Sequence, residues 1–133
     1  MQAEIEWNGA LQFTMTAGGH KTVLDGDCQA GSTPMELLLG SLAACMAIDI
    51  VLILGRMRSN LKSVRARVEG VRAETPPRRF TVIKIHFELA GTDVKPANVE
   101  RSIKLSRETY CSVFSTLRPD LQVETTYEVV SAG

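Results

Sequence analysis

The chain has 133 residues and a mass of 14.5 kDa, which is the size of one ordinary domain. Hydrophobic residues make up 44% and charged residues 23%, a composition that excludes wholesale disorder. Basic and acidic residues balance at 15 each, and aromatic residues reach only 5%, so we expect neither nucleic acid nor a membrane as a partner. Function must therefore come from particular residues.

The first part of the chain predicts three short strands and a loop. Residues 4–7 and 11–16 alternate between apolar and polar side chains, which is typical of strands with one covered face. Asn8-Gly9 lies between them and predicts a two-residue hairpin turn. A third strand is predicted at 20–24, and the turn-forming residues that follow it predict a loop.

A long apolar helix is predicted after this loop, over residues 34–55. Ser32 or Thr33 can cap its N-terminus, and Pro34 suits the first helical position. The nineteen residues from Glu36 to Leu54 are apolar on nearly every face and would rise roughly 28 Å. That length could cross a bilayer, but a charged residue, Asp49, interrupts the run, so we interpret it as a soluble core helix. A helix that is apolar all round needs cover on all sides, which predicts a homodimer.

The second half predicts two long strands, a helix and a last strand. Residues 64–69 and 83–89 alternate as the two strands of a hairpin, and residues 95–110 return to a helical period. Residues 111–117 either extend this helix or begin a second short one, and a final strand lies at 121–129. Strands interrupted by two helices predict an α+β fold. We expect one domain over 1–133, with strands and a loop at 1–33, the central helix at 34–55, and a ββαβ portion at 61–133.

The three cysteines, Cys28, Cys45 and Cys111, are an odd set without CxxC spacing. This pattern indicates neither a disulfide framework nor a zinc site, and the N-terminus does not resemble a secretory signal, so we expect a reducing cytoplasm. The two histidines belong to no metal-ligand pattern, and no glycine-rich phosphate loop is present. We therefore expect no metal and no cofactor. Cys28, in the predicted loop, is interpreted as an incidental thiol.

Cys45 lies in the middle of the apolar helix with polar residues one turn away on each side. Ser41 precedes it by four residues and Asp49 follows it by four, so the three side chains share one stripe. Two interpretations stay open from these residues alone. Cys45 is either a small buried hydrophobe among alanines or part of a polar site.

Two segments resemble the motifs of the OsmC/Ohr family. The first runs from Gly31 to Leu39 (GSTPMELLL) and continues through Leu42–Cys45 to Ile48-Asp49. The second is Tyr110-Cys111-Ser112, followed by the terminal alternating strand. The likeness extends over essentially the whole chain and is greatest to the small OsmC-like, YhfA-like branch of redox proteins.

This resemblance implies an α+β intertwined homodimer in which antiparallel sheets wrap around two long central helices. The better-known members of the family are thiol peroxidases that reduce organic hydroperoxides. By position Cys45 would attack a small apolar hydroperoxide, Cys111 would resolve the oxidised cysteine as a disulfide, and an external dithiol would reduce that disulfide. The alternative is a non-catalytic or weakly catalytic dimer of this fold that binds a small ligand or senses redox state.

The sequence departs from those peroxidases around the first cysteine. They carry a glutamate directly after the helix-start proline, where this chain has Met35, and an arginine in the N-terminal half, whereas the first arginine here is Arg56. They also usually have proline after the second cysteine, where this chain has Ser112. The candidates to support the two cysteines are therefore His20, Glu36, Asp49, Arg107 and Tyr110.

Overall fold

Two three-stranded sheets, one long helix and a shorter helical segment are found within residues 1–131, the part of the chain that the computed structural model describes. The chain divides into two compact units, residues 1–38 and residues 39 onward. The α+β class predicted from the sequence is confirmed.

The first unit contains an antiparallel sheet of three strands in the order β1-β2-β3. The strands are β1 (Ala3–Gly9), β2 (Gln12–Ala17) and β3 (His20–Asp25). Gly18-Gly19 forms the turn between β2 and β3, and both glycines have the positive φ that such a turn requires.

The turn predicted at Asn8-Gly9 lies two residues later than expected. Strand β1 continues to Gly9, and the connection to β2 is made by Ala10 and Leu11, with Ala10 at a φ of 47°. The side-chain amide of Asn8 donates a hydrogen bond of 2.7 Å to the Thr14 hydroxyl on β2. This cross-strand bond keeps Asn8 in the hairpin, which explains why the sequence signal pointed to the wrong pair.

The loop after β3 is organised by the buried carboxylate of Asp25, which is 2% exposed. It accepts backbone N–H hydrogen bonds from Asp27 at 2.8 Å, Ala30 at 2.9 Å and Gln29 at 3.3 Å. The bonds from Ala30 and Asp27 are the main reason that the pKa of Asp25 lies below its usual value. One carboxylate thus holds the loop that leads into the long helix.

The long helix, α1, spans Pro34–Arg56 and confirms the prediction over 34–55. Thr33 is its N-terminal cap, because its hydroxyl accepts the backbone N–H of Glu36 at 3.2 Å. The Glu36 carboxylate accepts the backbone N–H of Thr33 at 3.0 Å in return, which completes a capping box.

The second unit contains a sheet in the order β4-β5-β6. The strands are β4 (Asn60–Arg72), β5 (Phe80–Thr92) and β6 (Gln122–Ser131). Strand β4 pairs antiparallel with β5 as expected, but β6 pairs parallel with β5. The sheet is therefore mixed, which corrects the expectation of antiparallel sheets. The physical reason is the long helical connection between β5 and β6, which carries the chain back before β6 begins.

That connection consists of α2 (Pro96–Leu105), a π-helical turn (Ser106–Tyr110) and α3 (Ser112–Thr116). Of the two sequence alternatives for residues 111–117, the second short helix is confirmed. The π-helical turn closes with a hydrogen bond of 2.8 Å from the Cys111 N–H to the Ser106 carbonyl. Single π turns occur often at functional sites, and this one ends directly at a cysteine.

The core of the second unit combines one face of β5 with apolar side chains of the helices. Successive odd-numbered residues of β5 are buried, as the alternation predicted, and they are Ile83, Ile85, Phe87 and Leu89. Helix α1 contributes Leu42, Ala43, Met46, Ile50, Ile53 and Leu54, and α2 contributes Val99 and Ile103. The same α1 leaves Ile48, Val51 and Leu52 exposed.

Candidate dithiol site

Cys45 is placed by the middle of α1. The helix has no break around it, and its neighbours Leu42 and Met46 are fully buried, so Cys45 lies at the edge of the apolar core and is itself half-buried. Asp49, one turn later on the same stripe, is also half-buried. The polar stripe predicted from the sequence therefore borders the core.

Cys111 lies where the π-helical turn ends and α3 begins. Its backbone is extended, with φ −73° and ψ 104°, and its side chain is 1% exposed. The sulfur takes the role of an N-terminal cap, because the backbone N–H of Phe114 donates a hydrogen bond of 3.3 Å to Sγ. The position of the Cys111 thiol is therefore fixed by its extended backbone and by the hydrogen bond from Phe114.

The structure brings Cys45 and Cys111 together, although they are 66 positions apart in the sequence. Cys45 is among the groups that raise the pKa of Cys111, so the two side chains are near neighbours, and both cysteines are free thiols. Such a contact between a helix residue and a residue from a later connection cannot be read from sequence spacing. Proximity of two thiols is a precondition for reversible disulfide formation.

Two further polar side chains complete the site. The hydroxyl of Ser106 donates a hydrogen bond of 2.8 Å to Oδ2 of Asp49. Ser106 is fully buried, and its carbonyl is the acceptor of the Cys111 N–H. Ser106 therefore joins α1 to the turn that carries Cys111.

Sequence reasoning missed Ser106, although a signal was present. Val99, Ser102, Ile103 and Ser106 follow each other at helical spacings of three and four, so both serines occupy positions of an apolar stripe. A buried hydroxyl needs a partner, and Ser102 finds one in the Val99 carbonyl at 2.8 Å. The partner of Ser106 lies on another helix.

The surroundings of Cys111 favour its neutral form. Burial raises the pKa of the Cys111 thiol to about 11; the Phe114 N–H acts in the opposite direction, and the neighbouring Cys45 and the Asp49 charge raise it further. At pH 7 Cys111 is thus a protonated, protected thiol.

The comparison with known proteins identifies the family. The model of the OsmC-like protein family matches residues 25–126 of this chain, a range that includes both cysteines and the Ser106–Asp49 pair. The chain belongs to the OsmC-like family. The match supports the family assignment that the two sequence motifs predicted.

Relatives of the whole OsmC-like chain are found among both sequences and structures. Protein YhfA of Escherichia coli K12 is 38% identical and covers 99% of this chain and 100% of its own length. A crystal structure of a protein from Aquifex aeolicus VF5 is 28% identical, with a TM-score of 0.91 and coverage of 99% and 97%. The organic hydroperoxide resistance protein OsmC from Legionella pneumophila is 19% identical, with a TM-score of 0.72 and coverage of 97% and 98%, which shows a shared fold.

Helix α1 has the length and composition of a membrane span. Its buried residues line the core of the second unit, and the OsmC-like fold is that of a soluble protein. We therefore interpret α1 as the core helix of this fold.

Arg107 and Tyr110, both predicted as supporting residues, lie on the π-helical turn of the OsmC-like chain. The Arg107 guanidinium donates a hydrogen bond of 2.8 Å to the Val123 carbonyl and lies 5.4 Å from the centre of the Phe114 ring. Its charge is therefore directed at β6 and α3. Tyr110 precedes Cys111 and is 52% exposed.

The remaining candidates, Glu36 and His20, belong to the first unit. Glu36 is engaged in the capping box with Thr33 and also accepts a hydrogen bond of 3.3 Å from the Cys28 thiol. His20 is exposed at the start of β3. Across residues 1–131, no three His, Cys, Asp or Glu side chains are grouped as a metal site would need.

Proposed function

We propose that this OsmC-like protein is a thiol-dependent peroxidase that reduces organic hydroperoxides through Cys45, with Cys111 as the resolving cysteine. The observation that carries the proposal is the proximity of the two free thiols in the folded chain. The family match and a structural neighbour named as an organic hydroperoxide resistance protein support the same redox-related role.

The proposed cycle has three steps. The Cys45 thiolate attacks one peroxide oxygen, the O–O bond breaks, and the departing alkoxide takes up a proton to become an alcohol. Cys111 then attacks the sulfur of the resulting Cys45 sulfenic acid, a disulfide forms, and the hydroxyl leaves as water with the proton of Cys111. An external dithiol supplies the two electrons that reduce the disulfide.

The different surroundings of the thiols support the division of roles. Cys45 is half-buried and accessible to a small substrate, whereas Cys111 is 1% exposed and its pKa is raised to about 11. A buried, protonated thiol does not compete for peroxide, but it can react with a neighbouring sulfur. The substrate class, an organic hydroperoxide, is proposed from the structural neighbour that is named as an organic hydroperoxide resistance protein.

The cycle requires a partner and a compartment. We propose a homodimer, because α1 leaves Ile48, Val51 and Leu52 exposed and a second copy would cover them. We also propose the cytoplasm, where an external dithiol would keep the cysteines reduced between turnovers.

The deciding experiment measures turnover of cumene hydroperoxide with dithiothreitol as the reductant. In a Cys28→Ser parent protein, we expect Cys45→Ser to abolish turnover and Cys111→Ser to stop at a Cys45 sulfenic acid that mass spectrometry detects. Cys28 itself is exposed and donates to Glu36, so Cys28→Ser should retain the rate of the wild type. Equal turnover in the parent and in Cys45→Ser would refute the proposal.

A second candidate function is a dimer that binds a small ligand or senses redox state with little peroxide turnover. It is supported by the direction of the Arg107 guanidinium toward Val123 and Phe114, and by the negative charge of Asp49 on the cysteine stripe. A thiolate is stabilised by a cation and opposed by a carboxylate. Native mass spectrometry that finds a co-purifying small molecule, together with negligible peroxide turnover, would favour this candidate.

A further inference from the structure

Ser106 makes two hydrogen bonds, one to each of the two segments that carry Cys45 and Cys111. Its hydroxyl donates to Asp49 on α1, and its carbonyl accepts the N–H of Cys111, each at 2.8 Å. Asp49 lies one turn from Cys45 on the same helix. One fully buried residue thus spans from the helix of the first thiol to the backbone of the second.

The π-helical turn is part of this connection. In the turn, the Cys111 N–H bonds to a carbonyl five residues back instead of four, and that carbonyl belongs to Ser106, whose hydroxyl bonds to Asp49 on α1. Nothing in the capping of α3 by Cys111 requires the bond between Ser106 and Asp49. The local fold of α3 therefore does not account for the hydrogen bond between Ser106 and Asp49.

We propose that Ser106, through its hydrogen bond to Asp49, is the positioning residue that holds the Cys111 thiol in reach of Cys45 for disulfide formation. The inference rests on the proposed pairing of Cys45 with Cys111, and it assigns to Ser106 and Asp49 a function in the second step alone. Attack of one sulfur on another needs close approach and correct alignment, which a fixed backbone supplies in advance.

The charge of Asp49 gives the same pair a second effect. Within the described residues, the titratable groups that act on the Cys111 thiol are Cys45 and Asp49, both from α1, while Arg107 is directed at Val123. The carboxylate disfavours the Cys111 thiolate, so position and reactivity can be separated by substitution. Asp49→Asn keeps an oxygen that accepts from Ser106 and removes only the charge.

The test follows disulfide closure directly, without peroxide. In a Cys28→Ser background, one equivalent of 4,4′-dithiodipyridine reacts with Cys45, forms a mixed disulfide and releases one thiopyridone. Cys111 then attacks the Cys45 sulfur, loses its proton to solvent and releases the second thiopyridone. The two absorbance phases report the reactivity of Cys45 and the closure by Cys111 separately.

We expect Ser106→Ala to slow the second phase about tenfold and to leave the first phase unchanged. The matched control is Ser102→Ala, because Ser102 is equally buried one turn earlier and its hydroxyl donates to the local Val99 carbonyl. It should close at the rate of the parent. Asp49→Asn should close within about threefold of the parent and with a pH profile displaced to lower pH, an effect that a merely structural role would not produce.

A double-mutant cycle with Asp49 keeps the inference testable even if the Ser106→Ala variant does not fold. Asp49→Ala removes the acceptor from the other side and should reproduce the slow closure of Ser106→Ala, and the double variant should be no slower than either single variant. Closure at the parent rate in Ser106→Ala, or equal slowing in Ser102→Ala, would overturn the inference. If Ser106→Ala does not fold, slow closure in Asp49→Ala but not in Asp49→Asn supports it, and equal rates refute it.

The inference and the proposed function fail in different ways. If no Cys45–Cys111 disulfide forms even with dithiodipyridine, the pairing itself is wrong. If the disulfide forms at equal rates in the parent and in Ser106→Ala, only the role of Ser106 is refuted.

Discussion

The three cysteines have different surroundings, and their reactivity should follow from what each thiol contacts. Cys28 is exposed but donates to Glu36, Cys45 is half-buried on α1, and Cys111 is buried beneath the turn that carries it. Ranking the three thiols by exposure alone would therefore give the wrong order of reactivity. The carboxylate beside Cys28 makes the most accessible thiol a poor nucleophile at neutral pH.

We predict that Glu36→Gln increases the rate of Cys28 alkylation by iodoacetamide several-fold at pH 8. The hydrogen bond to Glu36 is the main cause that raises the pKa of Cys28, followed by the charge of the same carboxylate. Glutamine removes the charge and can still serve in a capping box. Peptide mass spectrometry measures the rate, and Glu74→Gln, an exposed residue with the same change of charge, is the control. An unchanged rate in Glu36→Gln would contradict the assignment.

The stability that Asp25 contributes to the first unit depends on pH. Its pKa is lowered in the folded protein by backbone N–H bonds, so its contribution to stability is present above the unfolded value of about 3.9 and is lost as the pH falls through the folded pKa. We predict that Asp25→Asn is less stable than the wild type at pH 7. The difference should shrink between about pH 5 and pH 2 when urea midpoints are compared.

The control for this prediction is Asp27→Asn, which changes an exposed carboxylate of the same loop. It should leave the wild-type dependence on pH in place. A gap between the wild type and Asp25→Asn that stayed constant down to pH 2 would show that the N–H bonds act through geometry and not through the charge.

At the scale of elements, the start of α1 depends on one hydroxyl. Thr33→Ala removes the acceptor of the Glu36 N–H and should lower the free energy of unfolding by about 1 kcal/mol. Ser32→Ala is the matched control, because Ser32 lies one residue outside the capping box. Chemical denaturation of both variants measures the effect. Equal losses in the two variants would mean that Thr33 contributes nothing specific as a cap.

The sequence predicted those elements whose hydrophobic period is long and regular. The alternation of β5 and the all-round apolar run of α1 lie where expected, because burial of a face imposes a period on the sequence. Parallel pairing of β6 with β5 leaves no local trace, since alternating strands look alike whichever way they pair. The π-helical turn also leaves no recognisable pattern in the sequence, because its extra residue shifts the hydrogen bonds by one position only.

Only the half of the site that lies on α1 could be predicted from the sequence. Cys45 and Asp49 share a helical stripe that four-residue spacing exposes at once. The contact of Cys45 with Cys111, and that of Asp49 with Ser106, join residues far apart in the chain. Both depend on how the connection between β5 and β6 packs on α1, which only the folded chain defines. Without the family resemblance, the two cysteines could not have been paired.

At the scale of the whole molecule, apolar side chains remain uncovered in both units. On α1, Ile48 is 60% exposed, Val51 48% and Leu52 55%, at spacings that place them on one face. In the first unit, Ile5, Trp7 and Leu11 are each more than half exposed. Large apolar patches are rare on soluble monomers, so a second copy of the chain is the expected cover.

We predict that light scattering finds twice the 14.5 kDa mass of the chain for the wild type, and that Ile48→Glu shifts the protein toward the monomer. A carboxylate at this position would have to be desolvated on α1 when the second copy binds, which costs more than the contact gains. The control is Val71→Glu, which adds the same charge at a valine of β4 that is 52% exposed. It should leave the mass unchanged. A wild-type protein that is a folded monomer at micromolar concentration, or an Ile48→Glu variant that keeps the mass and stability of the dimer, would show that the exposed face of α1 is not the contact between subunits.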